Sequence, residues 1–287
     1  MSSIQILDGG MGTELISQNI KLPNHIWSAY ANIENPSLVY QIHKKYIESG
    51  ADYITTNTFR TTPRAYLKTG LSETQSKNVA YKSLLSAVEM AQKAKSNTKV
   101  KILGSIAPLE DCYSPSKYPG NKKTKAEISE LSNWFEKSEI DIFILETMNN
   151  LSEIIICLEV LSSYNIPVWV SLNLLDEKHI LSGEKISKVI DSISKFNISA
   201  LLLNCNSVQK TNVALDNVSQ YWDGKWGIYP NIGLGEPSPD GIITKFSNMK
   251  DFIELSKKAV QLGATILGGC CGSSYRHIEA LSKEFKK

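Results

Sequence analysis

The sequence predicts an α/β chain folded as one (β/α)8 TIM barrel over residues 1–287, and three observations carry that reading. Eight apolar runs recur along the chain, segments with helical spacing lie between most of them, and no linker-like stretch divides the 287 residues. The runs cover 4–10, 51–59, 100–106, 140–147, 168–173, 200–205, 226–231 and 264–269. They are continuous rather than alternating, as strands of a parallel sheet buried on both faces read. A doubly wound open sheet is the alternative that the same alternation allows.

Helix signals fall between these runs. Pro36 suits the first turn of a helix carrying Leu38, Ile42 and Tyr46. Ser72 and Gln75 have capping-box spacing ahead of the stripe Ala80, Leu84, Ala87, Val88 and Ala91. Phe252, Leu255, Ala259 and Leu262 form the last inter-strand stripe. Gly50 and Gly263 each follow a stripe and precede a strand, where a left-handed C-terminal cap belongs.

Composition narrows the function classes. With 42% hydrophobic and 21% charged residues the chain can bury a core without a partner. A net charge of +2, from 31 basic and 29 acidic residues, gives no broad electrostatic footprint for nucleic acid or membrane. The basic run Lys122-Lys123-Thr124-Lys125 reads as a solvated loop. No signal-peptide pattern opens the chain and no segment approaches the ~18 apolar residues of a membrane span, so a cytoplasmic protein is expected. Five cysteines, concentrated late, fit a reducing compartment and metal-binding or reactive thiols better than a disulfide framework.

In an α/β barrel, ligands bind where the strands end. The ends here carry Asp8-Gly9-Gly10-Met11-Gly12-Thr13-Glu14, Thr55-Thr56-Asn57-Thr58-Phe59, Glu146-Thr147, Asn204-Cys205-Asn206, Tyr229-Pro230-Asn231 and Gly268-Gly269-Cys270-Cys271-Gly272. Cys205, Cys270 and Cys271 thus sit at the sixth and eighth strand ends, on one face. Three thiolates with no fourth protein ligand in view match a catalytic zinc centre with an open position, and soft sulfur favours Zn2+ over magnesium or calcium. Small buried residues in a tight strand exit are the alternative reading. Cys157, among Ile154, Ile155, Leu158 and Leu161, reads as core, and Cys112 as a surface thiol near the same face.

Gly10-Met11-Gly12 lacks the third glycine of a dinucleotide fingerprint, and Glu14 would repel a phosphate there. Gly9 and Gly10 are expected instead to let backbone N–H groups approach an amino-acid carboxylate. Asp8 and Glu146 suit its ammonium group, with a capping or tethering carboxylate as the alternative for each. His25, His43, His179 and His277 form no ligand pair and read as structural or exposed. Neither Gly-x-Ser-x-Gly nor His-Glu-x-x-His occurs.

Taken together, these strand-end segments, with Gly50-Ala51-Asp52, resemble the homocysteine S-methyltransferase family from residue 7 to the C-terminus, in the family's order. The double cysteine after two glycines is the most specific part. The resemblance implies a single homocysteine-binding barrel domain, Zn2+ on Cys205, Cys270 and Cys271, and homocysteine near Asp8, Gly9 and Glu146. Trp27-Ser28-Ala29 followed by Asn35-Pro36 is similar to members that use S-methylmethionine or S-adenosylmethionine. The chain also lacks the extension of betaine-dependent members and the folate and cobalamin modules of others. The segment Ile232-Gly233-Leu234-Gly235-Glu236-Pro237 departs from the pattern by leading to the last helix along a short route.

The expected reaction is zinc-dependent methyl transfer from a sulfonium donor to the homocysteine thiol, giving methionine. The metal removes the thiol proton, and the negative sulfur centre favours a cationic donor. Trp27, Phe59 and Tyr229 are candidate cation–π partners for the sulfonium. Gly10, Thr56, Asn57 and Asn231 complete the expected substrate-binding set. Betaine-dependent transfer, another thiol acceptor, a zinc hydrolase and a non-catalytic zinc or thiol sensor are the alternatives.

Overall fold

A computed structural model describes residues 3–234, 243 and 245–286 of the chain. In chain order its elements are β1 (Gln5–Ile6), α1 (Met11–Ser17), α2 (Tyr30–Glu34), α3 (Pro36–Glu48), β2 (Tyr53–Thr55), α4 (Pro63–Leu67), α5 (Glu73–Lys95), β3 (Lys101–Ile106), α6 (Asn121–Glu136), β4 (Ile142–Met148), α7 (Leu151–Leu161), β5 (Val168–Leu172), α8 (Ile186–Ile193), β6 (Ile198–Ser207), α9 (Val208–Tyr221), β7 (Trp226–Asn231), α10 (Met249–Gln261), β8 (Ile266–Leu267) and α11 (Tyr275–Phe285).

The strands run in the order β1-β8-β7-β6-β5-β4-β3-β2, each pair parallel. Leu7 then bridges in parallel to Tyr53, and the Asp8 N–H donates to the Tyr53 carbonyl at 3.0 Å. That contact closes the ring into a barrel and removes the open-sheet alternative. Every expected run overlaps a strand. The observed β1, β2 and β8 are shorter than their runs because the residues beyond them leave the ladder to build the carboxyl face.

Side chains alternate across the strands. Leu7, Tyr53, Leu103, Ile144, Leu202 and Ile266 pack together inside the barrel, where Tyr53 lies against Trp169 with ring centroids 4.8 Å apart. Ile54, Phe143, Leu145, Leu203 and Leu267 face outward into a larger core shared with the helices, as in the edge-on contact of Phe143 with Phe135 of α6.

The helix signals hold. Ser72 and Gln75 cap α5 reciprocally, and Pro36 opens α3. Gly50 and Gly263 have φ of +98° and +100°, the left-handed geometry of C-caps. One expectation fails: Lys122-Lys123-Thr124-Lys125 is the start of α6, not a loop. Its lysines are solvated, while Thr124, Ile128 and Leu131 recur on the inward face at helical spacing. His43 is fully buried in α3, where burial pushes its pKa down to about 3 and keeps it neutral. Among the described residues no helix is long and apolar enough to cross a membrane.

Close strand approach is most demanding at Gly227 of β7, where a Cβ would lie 2.0 Å from the Ile266 carbonyl oxygen of β8. Because the obstacle is backbone, Gly227→Ala is expected to destabilise the protein by about 3 kcal/mol. Urea denaturation of the two proteins measures this, and an unchanged midpoint would contradict the packing described.

Candidate active site

The strand exits surround a cavity of about 940 Å3, at the upper end of the ~300–1,000 Å3 that small-molecule sites occupy. Cys205, Cys270 and Cys271 lie on its wall. Their sulfurs are within 4.8 Å of one another, with Cys205–Cys271 at 3.6 Å and Cys270–Cys271 at 4.0 Å, and all three are free thiols. Such a group can hold a metal ion.

The backbone is bent to bring them there. Cys205 has φ of +55°, a strained value for a residue with a Cβ, and the β6–β7 register breaks between Asn204 and Ser207. Two amides hold the bend. Asn204 Oδ1 accepts from the Thr147 N–H and the Ser171 hydroxyl, while its Nδ2 donates to Thr147 Oγ1 at 2.7 Å. Asn206 Oδ1 accepts from the Leu174 N–H, and its Nδ2 donates to the Leu172 and Asn204 carbonyls.

At the other strand end, the Cys270 N–H donates to the Pro230 carbonyl, and the Ser273 N–H and hydroxyl both donate to the Cys270 carbonyl. Hydrogen bonds from Cys205 and Cys270 hold the Cys271 thiol well below its usual pKa, while the same cluster pushes Cys270 up. Within the cluster, ionisation is therefore favoured at Cys271 over its two neighbours, and a thiolate is the form that ligates metal.

The two acids behave differently. Asp8 is buried with both oxygens engaged by Thr55, through its N–H at 2.7 Å and its hydroxyl at 3.1 Å. This is the tethering role, and burial still holds Asp8 well above the usual carboxylate range. Glu146 accepts the Ser105 hydroxyl on Oε2, and its Oε1 has no protein partner among the described residues. Burial pushes its carboxyl up to about 7 against that hydrogen bond.

The glycine expectation needs correction at Gly10. The Gly10 N–H donates to Ser273 Oγ at 3.1 Å and is not free for an anion. A Cβ on Gly9 would lie 2.7 Å from the Tyr46 hydroxyl, and one on Gly10 would lie 2.6 Å from the Cys270 carbonyl oxygen. Both glycines serve the close approach of the first and last strand exits.

Thr56 and Asn57 border the cavity but are committed to the framework. Thr56 Oγ1 meets Thr58 Oγ1 and accepts from the Ser105 N–H, while Asn57 Nδ2 donates to the Ser28 carbonyl and Asn32 Oδ1. Through Ser28, Asn57 supports the turn that presents Trp27, whose φ is +45°. Trp27 and Tyr229 line the cavity, and the buried Tyr229 hydroxyl has no hydrogen-bond partner among the described residues. Phe59 is a poorer sulfonium partner than expected because the Arg60 guanidinium already lies 5.0 Å from its ring centroid. Asn231 does not line the cavity: it is buried behind it, with Oδ1 accepting the Gly233 N–H at 2.7 Å. Of the departing segment, residues 235–237 lie outside the described residues.

Cys112 is buried, not a surface thiol, and burial pushes its pKa up to about 12. The loop after β3 folds over the cavity because Asn149 Nδ2 donates to the Cys112 carbonyl and Glu153 accepts the Leu109 N–H. That fold also delivers Tyr113, whose hydroxyl lies 3.2 Å from Cys205 Sγ. Nothing local in the sequence marks Tyr113, since a tyrosine in a polar loop has no distinguishing spacing. Of the histidines, His25 borders the cavity, His277 caps α11 with Ser274, and His179 pairs with Asp176.

Fold and site define a (β/α)8 barrel with a three-sulfur centre on its carboxyl face. The sequence profile of homocysteine S-methyltransferase matches residues 5–285. Homocysteine S-methyltransferase of Escherichia coli K12 is 28% identical, over 97% of this chain and 94% of its own. Homocysteine S-methyltransferase 1 of Brassica oleracea var. italica is 26% identical, over 98% of this chain and 93% of its own. The metallated form of the homocysteine methyltransferase MmuM from Escherichia coli superposes with a TM-score of 0.83 at 27% identity, covering 99% of this chain and 96% of that one. The chain belongs to the homocysteine S-methyltransferase family and is a methyltransferase.

The raised Glu146 carboxyl has a consequence for stability. Its pKa is about 7 when folded against 4.5 as the reference value, so the folded state holds the proton more tightly. Below pH 4.5 the group costs nothing, the cost accrues as pH rises from 4.5 to about 7, and it is complete above that. Metal-free Glu146→Gln protein under reducing conditions should therefore gain stability over wild type from pH 5 to pH 8, by an amount on the order of 3 kcal/mol. Denaturation series at the two pH values measure the difference, and equal pH slopes would contradict it.

Proposed function

We propose that this chain, as a single barrel domain over residues 1–287, transfers a methyl group from a sulfonium donor to the thiol of homocysteine, with zinc held by Cys205, Cys270 and Cys271. The observation that carries the reading is the convergence of three free thiols on one large cavity. The donor set fits the ion. Tetrahedral zinc with Zn–S bonds of about 2.3 Å sets its sulfur ligands about 3.8 Å apart, and two of the sulfur pairs here stand at 3.6 and 4.0 Å. Bound zinc would supply Lewis acidity that lowers the acceptor thiol's pKa, so that a thiolate is available near neutral pH.

The protein's own groups do the positioning. Glu146, with Oε1 unpartnered in the cavity, takes the ammonium group of homocysteine, and that contact returns its carboxyl to the ionised form. Asp8 adds a second acid on the same wall while it ties the β1 exit to β2. Trp27 and Tyr229 give the sulfonium an aromatic surface. Transfer neutralises a cation and a thiolate together, so the buried, partly apolar setting favours the charge-dispersed transition state over the separated ions. S-methylmethionine is the proposed donor, with S-adenosylmethionine weaker, on the strength of the Trp27-Ser28-Ala29 turn. A cytoplasmic setting, where thiols stay reduced, suits the three-sulfur centre.

Two experiments test this. Metal analysis should find one zinc per chain in wild type, with affinity falling by at least about 10-fold in each of Cys205→Ala, Cys270→Ala and Cys271→Ala; full retention in all three removes the centre. In a donor competition under reducing conditions, zinc-loaded protein should form methionine from homocysteine with S-methylmethionine, less with S-adenosylmethionine, and little with betaine or methylfolate. A clear preference for betaine would overturn the donor assignment and leave the metal centre standing.

A further inference from the structure

Arg60, at the exit of β2, lines the cavity and takes no part in the roles described above. Its Nη1 donates to the Pro108 carbonyl at 3.0 Å and to the Glu110 carbonyl at 2.8 Å, and its guanidinium rests on Phe59. A guanidinium carries five N–H donors. Nε and both hydrogens of Nη2 have no partner among the described residues. No described carboxylate lies within ion-pair distance of Arg60. Glu110 is held by Arg64 and Lys68, Glu127 by Arg64, and Asp111 by the Ser114 hydroxyl, the Tyr113 N–H and Lys117. The cavity wall therefore presents a cation anchored on one edge and open on the other, which is the arrangement that receives a carboxylate.

Topology says which carboxylate. In the closed strand order, β2 and β6 stand four places apart around the ring, so the strand exits that lead to Arg60 and Cys205 face each other across the mouth, with the Arg60 guanidinium reaching the 108–110 segment after β3. The sulfur centre attracts a sulfonium and Arg60 repels one. An amino-acid sulfonium carries its cation and its carboxylate at opposite ends, and only one orientation satisfies both poles.

We propose that Arg60 binds the carboxylate of the methyl donor, so that the site selects sulfonium donors with a free carboxylate and orients their methyl group toward the sulfurs. This rests on the reading of the reaction as transfer from a sulfonium.

Calorimetry on zinc-loaded protein without acceptor tests it, using S-methylmethionine and its carboxamide as probes. Wild type should bind the carboxylate form roughly 10- to 100-fold more tightly than the amide, as expected for a charge-assisted contact. Arg60→Gln should bring that ratio close to one, and Arg60→Lys should restore part of it. A wild type that does not distinguish the pair overturns the proposal. So does an Arg60→Gln protein that loses affinity equally for both, which marks a tether of the Pro108–Glu110 loop only. Weakened homocysteine binding with donor discrimination intact would assign Arg60 to the acceptor and also overturn it. Discrimination that depends on Arg60 in a protein that transfers no methyl group would sink the reaction reading alone.

Discussion

Two strand pairings, β6 with β7 and β7 with β8, set how near Cys205 can come to Cys270 and Cys271. β7 stands between the cysteine-bearing strands, so the sulfurs meet only if it is crossed closely on both sides. Gly227 allows this on one side, because its missing Cβ lets the Ile266 carbonyl approach. On the other, β6 abandons regular pairing after Asn204 and turns Cys205 inward through a left-handed φ. Thr147, beside Glu146 on β4, also has positive φ, and Asn204 binds its N–H and its hydroxyl. One amide thus restrains both bent strand ends, which couples the position of a metal-binding sulfur to that of the acid proposed to hold the substrate.

Electrostatics follows from that geometry. The carboxyl face gathers Asp8, Glu146 and three thiols into a buried space that raises the pKa of Asp8, Glu146, Cys205 and Cys270, while hydrogen bonds from its neighbours lower that of Cys271. A site so biased suits cations: the sulfurs could hold a metal ion, and the proposed function adds an ammonium at Glu146 and a sulfonium against the aromatics. Of the cations on the wall, Lys68 and Lys117 pair with Glu110 and Asp111, while Arg60 has no carboxylate within ion-pair distance among the described residues, and its fixed charge gives the cavity a direction.

The loop after β3 shows how a framework becomes part of a site. Arg60, Asn149 and Glu153 hold it by its backbone, from two distant segments of the chain, the exits of β2 and β4. Those contacts bury Cys112 and place the Tyr113 hydroxyl beside Cys205. The sulfur centre is thus reached from the β3 side as well as from β6 and β8.

Hydrophobic periodicity and strand-end chemistry were enough to identify the barrel, its eight strands and the three cysteines, because continuous apolar runs, caps and a double cysteine after two glycines are local patterns. They were also enough to bring Asp8, Glu146 and Tyr229 to the right face, since strand polarity alone decides that, whereas Trp27 lies in a turn away from any strand end and was marked only by the family resemblance. Local pattern misled where the deciding contact comes from elsewhere in the chain. Gly10 looks free until Ser273 takes its N–H, Asn231 looks available to substrate until it turns back on Gly233, and Phe59 looks open until Arg60 covers it. Cys112, Tyr113 and Arg60 acquire their positions only when the ring closes and loops from different strands meet over it. Closure joins residues through hydrogen bonds and packing that carry no period along the chain, which is why tertiary structure had to decide them.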